Sequence, residues 1–183
     1  MRGRRRLIRY LLVLSVCLVG LPARADPAFT LDRATVSGGV RWATEDLDLG
    51  VGVRGGYTLD MGVYLGAGFD YWFGEKQEQT VPGAGTISAE AHGWDVMGEV
   101  GYDIGVAPAI VIRPFGGLGV FHAEGEACAP MVGCIQASDS EAAFEFGGLA
   151  VFGFDGLNLV PELRVLIADD AAVLFGASIG ADF

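Results

Sequence analysis

After its first two dozen residues the chain contains no uninterrupted apolar run approaching the ~20 residues a membrane helix needs. Basic residues are equally scarce there. Arg33, Arg41, Arg54, Lys76, Arg113 and Arg164 are the six that follow residue 25, against 23 acidic residues, a net charge of −17. Such a surface repels phosphate backbones, which bind through Lys and Arg, and this excludes a nucleic-acid partner. Glycine is abundant instead, at 29 of 183 residues, more than twice ordinary usage. With 51% hydrophobic and only 19% charged residues the chain cannot be a disordered polyampholyte, and its length fits one domain. A chain this apolar without a membrane helix must distribute its apolar residues in another rhythm.

Residues 1–25 read as a secretory leader. Arg2, Arg4, Arg5, Arg6 and Arg9 form a positive start, Leu7 to Leu21 an apolar core, and Ala23-Arg24-Ala25 a small-x-small cleavage site. Cleavage between Ala25 and Asp26 would leave a domain over residues 26–183. A short amino-terminal anchor, lipidation at Cys17 and twin-arginine export are the rival readings of the same stretch.

From residue 34 onward the period is two. Leu47, Leu49, Val51, Val53 and Tyr57 oppose Asp48, Gly50, Gly52, Arg54 and Gly56; Val63, Leu65, Ala67, Phe69, Tyr71 and Phe73 oppose Tyr64, Gly66, Gly68, Asp70 and Trp72. The same alternation recurs near 36–42, 94–102, 110–120, 144–154, 159–167 and 173–183, giving eight predicted strands. Connections alternate between short ones (58–61, 103–108, 155–158) and others (43–46, 74–89, 122–141, 168–171), two of which are long. That asymmetry, with eight strands of ~10 residues, fits an eight-stranded antiparallel up-and-down transmembrane β-barrel with both termini at the short-turn end. A soluble barrel with its apolar face inward is the rival. Charge decides against it: the apolar faces are essentially free of charge, whereas Arg41, Asp48, Arg54, Asp70, Asp95, Glu99, Arg113, Glu145, Glu162 and Arg164 share the other face with most of the glycines. A narrow lumen needs small residues beside bulky ones. Aromatic residues also gather at both strand ends, Trp42, Tyr71, Phe73, Trp94 and Phe144 at one, Tyr57, Tyr102, Phe154 and Phe183 at the other.

These strands, the stretch Arg113-Pro114-Phe115-Gly116-Gly117-Leu118-Gly119-Val120 and a last strand closing on Phe183 resemble the OmpA-type outer-membrane β-barrel family over residues 34–183. The resemblance implies a bacterial outer-membrane location and delivery by the barrel-assembly machinery, with Phe183 as the terminal assembly signal. The chain departs from the full pattern of that family in that no periplasmic wall-binding domain is expected after the barrel, and so no wall-tethering role. Pro114 and Pro161 fall inside predicted strands, where each removes a ladder donor, so bulges near the rim are expected there.

The candidate site residues fall into three groups. Cys128 and Cys134 flank five residues in the second long loop, and in an exported chain a disulfide is expected; no histidine pair accompanies them to favour a metal. Asp95, Glu99, Arg113, Glu145, Glu162 and Arg164 are expected to form one interior ion-pair network, because unpaired buried charge is costly, with Glu162 and Arg164 as its central pair; an ion path is the alternative. His92 and His122 lie near the loop end. Neither has a neighbouring serine at strand spacing, as a barrel-borne lipid deacylase would show; His122 with Ser138 and Asp139 is the remaining catalytic combination. The loops are acidic, offering carboxylates to divalent cations shared with lipopolysaccharide phosphates. The expectation is a non-enzymatic, monomeric barrel without cofactor or metal, seated in outer-membrane lipid and lipopolysaccharide. Its role is structural or interactive, with 74–89 and 122–141 as the contact surface. A small ion or solute channel and a lipid-modifying enzyme follow as alternatives.

Overall fold

A computed structural model describes residues 33–44, 49–74, 76–82, 85–130 and 133–183, and every regular element among them is a strand. The leader, the Ala25/Asp26 cleavage site, and the acidic positions Glu45, Asp46 and Glu75 lie outside the described residues. Ten strands occur in order: β1 (Arg33–Ala43), β2 (Leu49–Thr58), β3 (Val63–Trp72), β4 (Lys76–Val81), β5 (Gly85–Tyr102), β6 (Ile104–Ala107), β7 (Ile110–Ala129), β8 (Gly133–Phe154), β9 (Leu157–Ile167) and β10 (Ala171–Asp182). Eight of these close a ring in which β1, β2, β3, β5, β7, β8, β9 and β10 each pair antiparallel with the next. The seam runs from Thr35 opposite Asp182 to Ala43 opposite Leu174, extended by paired backbone bonds between Ala34 and Phe183. The ring is the expected up-and-down barrel.

The pleat places residues as their period predicts. Leu65, Val100 and Ile179 on the outer wall are 51%, 55% and 66% exposed, whereas Tyr64, Met97 and Asp95 beside them in sequence or register are fully enclosed. An apolar outer wall around a charged interior is the reverse of a water-soluble barrel, and in a bilayer it satisfies every strand edge by closure. Between β8 and β9 the turn is Asp155-Gly156, with φ of 43° and 86°, the two left-handed positions that a two-residue hairpin turn requires.

Two features depart from expectation. The long connections are not irregular loops. β4 folds back on the start of β5 from Lys76 opposite Glu90 to Val81 opposite Gly85, and β7 and β8 remain paired as far as Ala129 opposite Gly133. Beyond the ring, β4, β5, β7 and β8 therefore continue as a protruding four-stranded sheet. The prolines, in turn, do not create register shifts at their own positions. Pairing of β5 with β7 stops at Gly101 opposite Phe115, and β6 resumes the same register at Ile104 opposite Ile112, leaving Pro114 facing the gap. Likewise β8 and β9 pair at Leu149 with Glu162 and again at Phe152 with Leu159, skipping the Pro161 position. A missing N–H removes rungs without displacing the strand.

Arginine placed at Leu65, Val100 or Ile179 is expected to destabilise the lipid-refolded barrel by about 2–4 kcal/mol, the range for a cation facing mid-bilayer lipid. Urea titration followed by the gel shift between unboiled and boiled samples measures it. Arginine at Gln79, on β4, should have little effect, and equal tolerance at all four positions would contradict the outward facing.

Candidate functional site

All five arginines among the described residues point into the lumen: Arg33, Arg41, Arg54, Arg113 and Arg164 are at most 6% exposed. They sort into two clusters. In the central one, Arg54 bonds Glu99 through Nε at 2.7 Å and bonds Glu162 through Nη1. Arg41 Nε lies 2.6 Å from Glu162 and 3.3 Å from Asp70, and its Nη1 donates to Ser178 Oγ at 2.8 Å. Arg164 donates through Nη1 to Glu145 at 2.5 Å and through Nη2 to Asp70. Asp95 accepts from Trp72 Nε1 at 2.9 Å rather than from a guanidinium. Three guanidiniums thus face the five carboxyls of Asp70, Asp95, Glu99, Glu145 and Glu162.

The second cluster lies toward the short-turn end. Arg113 grips Asp103 with Nε at 2.5 Å and Nη2 at 2.9 Å, Thr58 Oγ1 donates to the same carboxylate at 2.9 Å, and Arg33 bridges Asp103 at 3.5 Å and Asp182 at 3.0 Å. The Arg113 guanidinium also stacks over the Tyr64 ring, 3.6 Å from its centre. Arg113 therefore does not join Glu145 in the single expected network. Nor are Glu162 and Arg164 the central pair: their closest approach is 3.9 Å, Glu162 bonds to Arg41 and Arg54 across the lumen, and Arg164 bonds to Asp70 across it and to Glu145 on the adjacent strand. Residues two apart on a strand diverge by some 6–7 Å at the backbone, while opposite walls of a narrow barrel lie within side-chain reach. Arg41, Arg54 and Asp70 share the inward face yet lie outside the expected network, as do Arg33, Asp103 and Asp182. Asp103 reads in sequence as a turn residue, and Arg33 and Asp182 sit at strand ends where alternation gives little signal.

Glycine makes the room. A Cβ on Gly52 would fall 1.6 Å from the Asp70 carboxylate; on Gly176, 2.7 Å from Glu162; on Gly117, 2.7 Å from Glu145; and on Gly66, 2.1 Å from the Tyr64 hydroxyl. At the loop end the lumen is apolar, filled by Trp72, Met97, Ala143, Leu166 and Leu174, and toward the turn end Val111, Phe115, Leu149, Val151 and Val160 pack beside the Arg113–Asp103 cluster. A cavity of about 20 Å³ beside Arg54, Tyr64 and Arg113 has room for roughly one water.

On the protruding sheet, Cys128 and Cys134 stand directly opposite each other in the β7/β8 register and form the disulfide, Cα to Cα 4.0 Å. Glu126 brings a carboxylate within 4.8 Å of both sulfurs, but both are committed to that bond. His122 and His92 flank Glu124, donor to acceptor 3.0 and 3.1 Å, which holds the Glu124 carboxyl below its usual range, His122 contributing most. His122 Nδ1 also lies 2.6 Å from Ser140 Oγ, its partner across the β7/β8 pair, rather than near Ser138 or Asp139. That serine is invisible to a search along one strand. Phe183 ends the seam on the outer wall, 80% exposed.

The outer membrane protein beta-barrel domain family matches residues 11–175. The chain belongs to that family. Its place is accordingly the bacterial outer membrane, in lipid. No curated protein sequence matches it. Among solved structures it is similar to Ail of Yersinia pestis (14% identity, TM-score 0.58, covering 83% of this chain and 99% of that one). Ail has also been solved with the heparin analogue sucrose octasulfate. Further likenesses are the N-terminal β-barrel domain of Pseudomonas aeruginosa OprF (15%, 0.54, 83% and 98%) and a major outer membrane protein of Thermus thermophilus (12%, 0.65, 82% and 98%). At these identities the likeness concerns the fold.

Replacing Arg164 by alanine is expected to cost about 3–5 kcal/mol, because Asp70 and Glu145 are left facing each other without their shared cation. In refolded barrels a double-mutant cycle of Arg164→Ala with Glu145→Gln should show coupling, while Arg113→Ala with Glu145→Gln should be additive. Additivity in the first cycle would break the cluster as described.

Proposed function

We propose that the protein is a monomeric surface-interaction barrel: a plugged, ion-paired cylinder that anchors the protruding sheet outside the membrane. Its insertion is assigned to the barrel-assembly machinery reading Phe183, and lipopolysaccharide is its neighbour in the outer leaflet. The observation that carries the reading is the sheet's two edges, which have no further partner among the described residues. Among these, β4 pairs only with β5, and β8 above Phe144 pairs only with β7, because β9 ends at Ile167. Free edges offer unpaired N–H and C=O groups to an extended partner segment. Ile135, 67% exposed on β8, adds an apolar contact.

The sign of the partner follows from charge. The described part of the sheet carries Lys76 as its one basic residue, against Glu78, Glu90, Glu124, Glu126, Asp139 and Glu141. A sulfated polyanion such as the Ail ligand would be repelled, and a cationic extended segment attracted. The filled lumen supports a non-conducting, non-enzymatic interior, since an apolar layer closes the loop end and paired charges packed against Val111 and Phe115 fill the turn end.

Nanodisc-held protein is expected to bind a cationic decapeptide of alternating Lys and Val, with binding weakening at high salt. Replacing residues 124–138 by Asn-Gly should keep the heat-shifted migration of a folded barrel and weaken binding at least ~10-fold, since it removes the β8 edge around Ile135 together with Glu124 and Glu126. Unchanged binding on interferometry after that replacement would contradict the assignment.

A further inference from the structure

On the outer wall, composition changes abruptly from apolar to polar where β5, β7 and β8 leave the ring. Going up β7 the outward residues are Leu118, Val120, His122 and Glu124; on β5 they are Val96, Trp94 and His92; on β8, Phe144, Ala142 and Ser140. Tyr71, Trp94, His122 and Ser140 form one cross-strand row. Aromatic residues at such a boundary mark the level of the lipid headgroups and their ester linkages. The row therefore sits beside the outer leaflet, facing lipid and not the lumen.

Three members of this border are linked as a proton relay. Ser140 Oγ lies 2.6 Å from His122 Nδ1, and His122 Nε2 lies 3.0 Å from Glu124 Oε1. With its hydrogen on Nε2, the imidazole donates to Glu124, and its bare Nδ1 accepts the serine hydroxyl hydrogen. This is the polarity in which a carboxylate fixes the tautomer and the imidazole withdraws a proton from the nucleophile. The ring is held in place: Trp94 stacks on it, centroids 5.1 Å apart and planes 28° apart. His92, 3.1 Å from Glu124 Oε2, steadies the carboxylate from β5. Ser140 is exposed, and a shallow groove lined by His92, Glu124, Gln136 and Ser138 opens alongside.

We propose that Ser140, His122 and Glu124 form a hydrolytic site for acyl esters of lipids at the outer wall of the barrel. The site lies on the outward face of the same sheet, with Ser140 on its β8 edge strand, and adds an activity to a surface-interaction protein. Ser140 Oγ bonds to the ester carbonyl carbon as its proton passes to His122 Nδ1. The bond from that carbon to the alcohol oxygen breaks, and the departing alcohol takes the proton back from Nδ1. Water then attacks the acyl-serine, giving its proton to His122 and returning Ser140 with release of the fatty acid. One ester and one water yield one acid and one alcohol. Glu124 acts through His122 as a positioning residue.

The full-length protein refolded in detergent micelles is to be assayed with p-nitrophenyl palmitate and p-nitrophenyl acetate, and treated with a fluorophosphonate followed by mass spectrometry. The expected result is palmitate hydrolysis that falls about 100-fold or more in Ser140→Ala and in His122→Ala, the range for loss of a general base. Glu124→Gln should lower kcat with KM little changed. The fluorophosphonate adduct should map to Ser140. The three substituted side chains are on the outer wall, so each variant should keep its heat-shifted migration. Hydrolysis by wild type equal to that of Ser140→Ala, or no adduct at Ser140, would overturn the site. Acetate turned over as efficiently as palmitate would overturn the lipid substrate class.

Discussion

A ring of eight strands leaves a lumen so narrow that a side chain from one wall reaches the other, and most of what is particular to this chain follows from that dimension. Guanidiniums enclosed there cannot keep their water, so each must find carboxylates at bonding distance. Arg164 does so on β3 and β8, Arg54 on β5 and β9, and Arg41 on β3 and β9. Each guanidinium makes at least one bond between strands that are not neighbours in the sheet. The backbone ladder fixes which strand lies beside which, and these bonds fix how far the cylinder can flatten. Space is the second consequence. Gly52, Gly66, Gly117 and Gly176 lie where any Cβ would strike Asp70, Tyr64, Glu145 or Glu162, so the glycine content of the chain is the counterpart of its interior charge.

A filled lumen moves function to the outside. An apolar layer around Trp72 and Leu174 closes the loop end, and at the turn end Val111 and Phe115 pack beside the paired charges of Arg113, Asp103 and Arg33. The chemistry that remains accessible sits on the wall near the aromatic border and on the sheet above it. A rigid cylinder is well suited to hold such groups in fixed positions, because neighbouring outward side chains on paired strands are set by the ladder and not by a mobile loop.

Alternation made the facing of the ring strands legible from sequence, since a buried face and a lipid face differ sharply in polarity at every second residue. The same signal vanished where both faces meet water. Lys76-Gln77-Glu78-Gln79-Thr80 and Ser138-Asp139-Ser140-Glu141 form strands with no apolar side to betray them, and these segments read as loops. Sequence also located interior charges without identifying their partners, because partners are set by barrel geometry. Arg113 pairs with Asp103, ten residues earlier, and Arg164 with Asp70, ninety-four earlier. Trp72 and Phe115 shared a face with charged residues and so gave no hint of the apolar layers they build. The Ser140–His122 contact depends on the β7/β8 register, and a hairpin of this length leaves that register open until its turn is known.

The enclosure of the arginines can be read directly from their side-chain nitrogens. Hydrogen exchange of the guanidinium Nε–H groups, followed by NMR on the barrel refolded in lipid nanodiscs, separates bonded and dry groups from hydrated ones. Slow exchange for Arg54, Arg113 and Arg164, with cross-peaks linking Arg164 to the side chains of Asp70 and Glu145, is the result expected of a closed and paired interior. Exchange as fast as that of a free guanidinium at all three positions would mean a water-filled lumen and would contradict it.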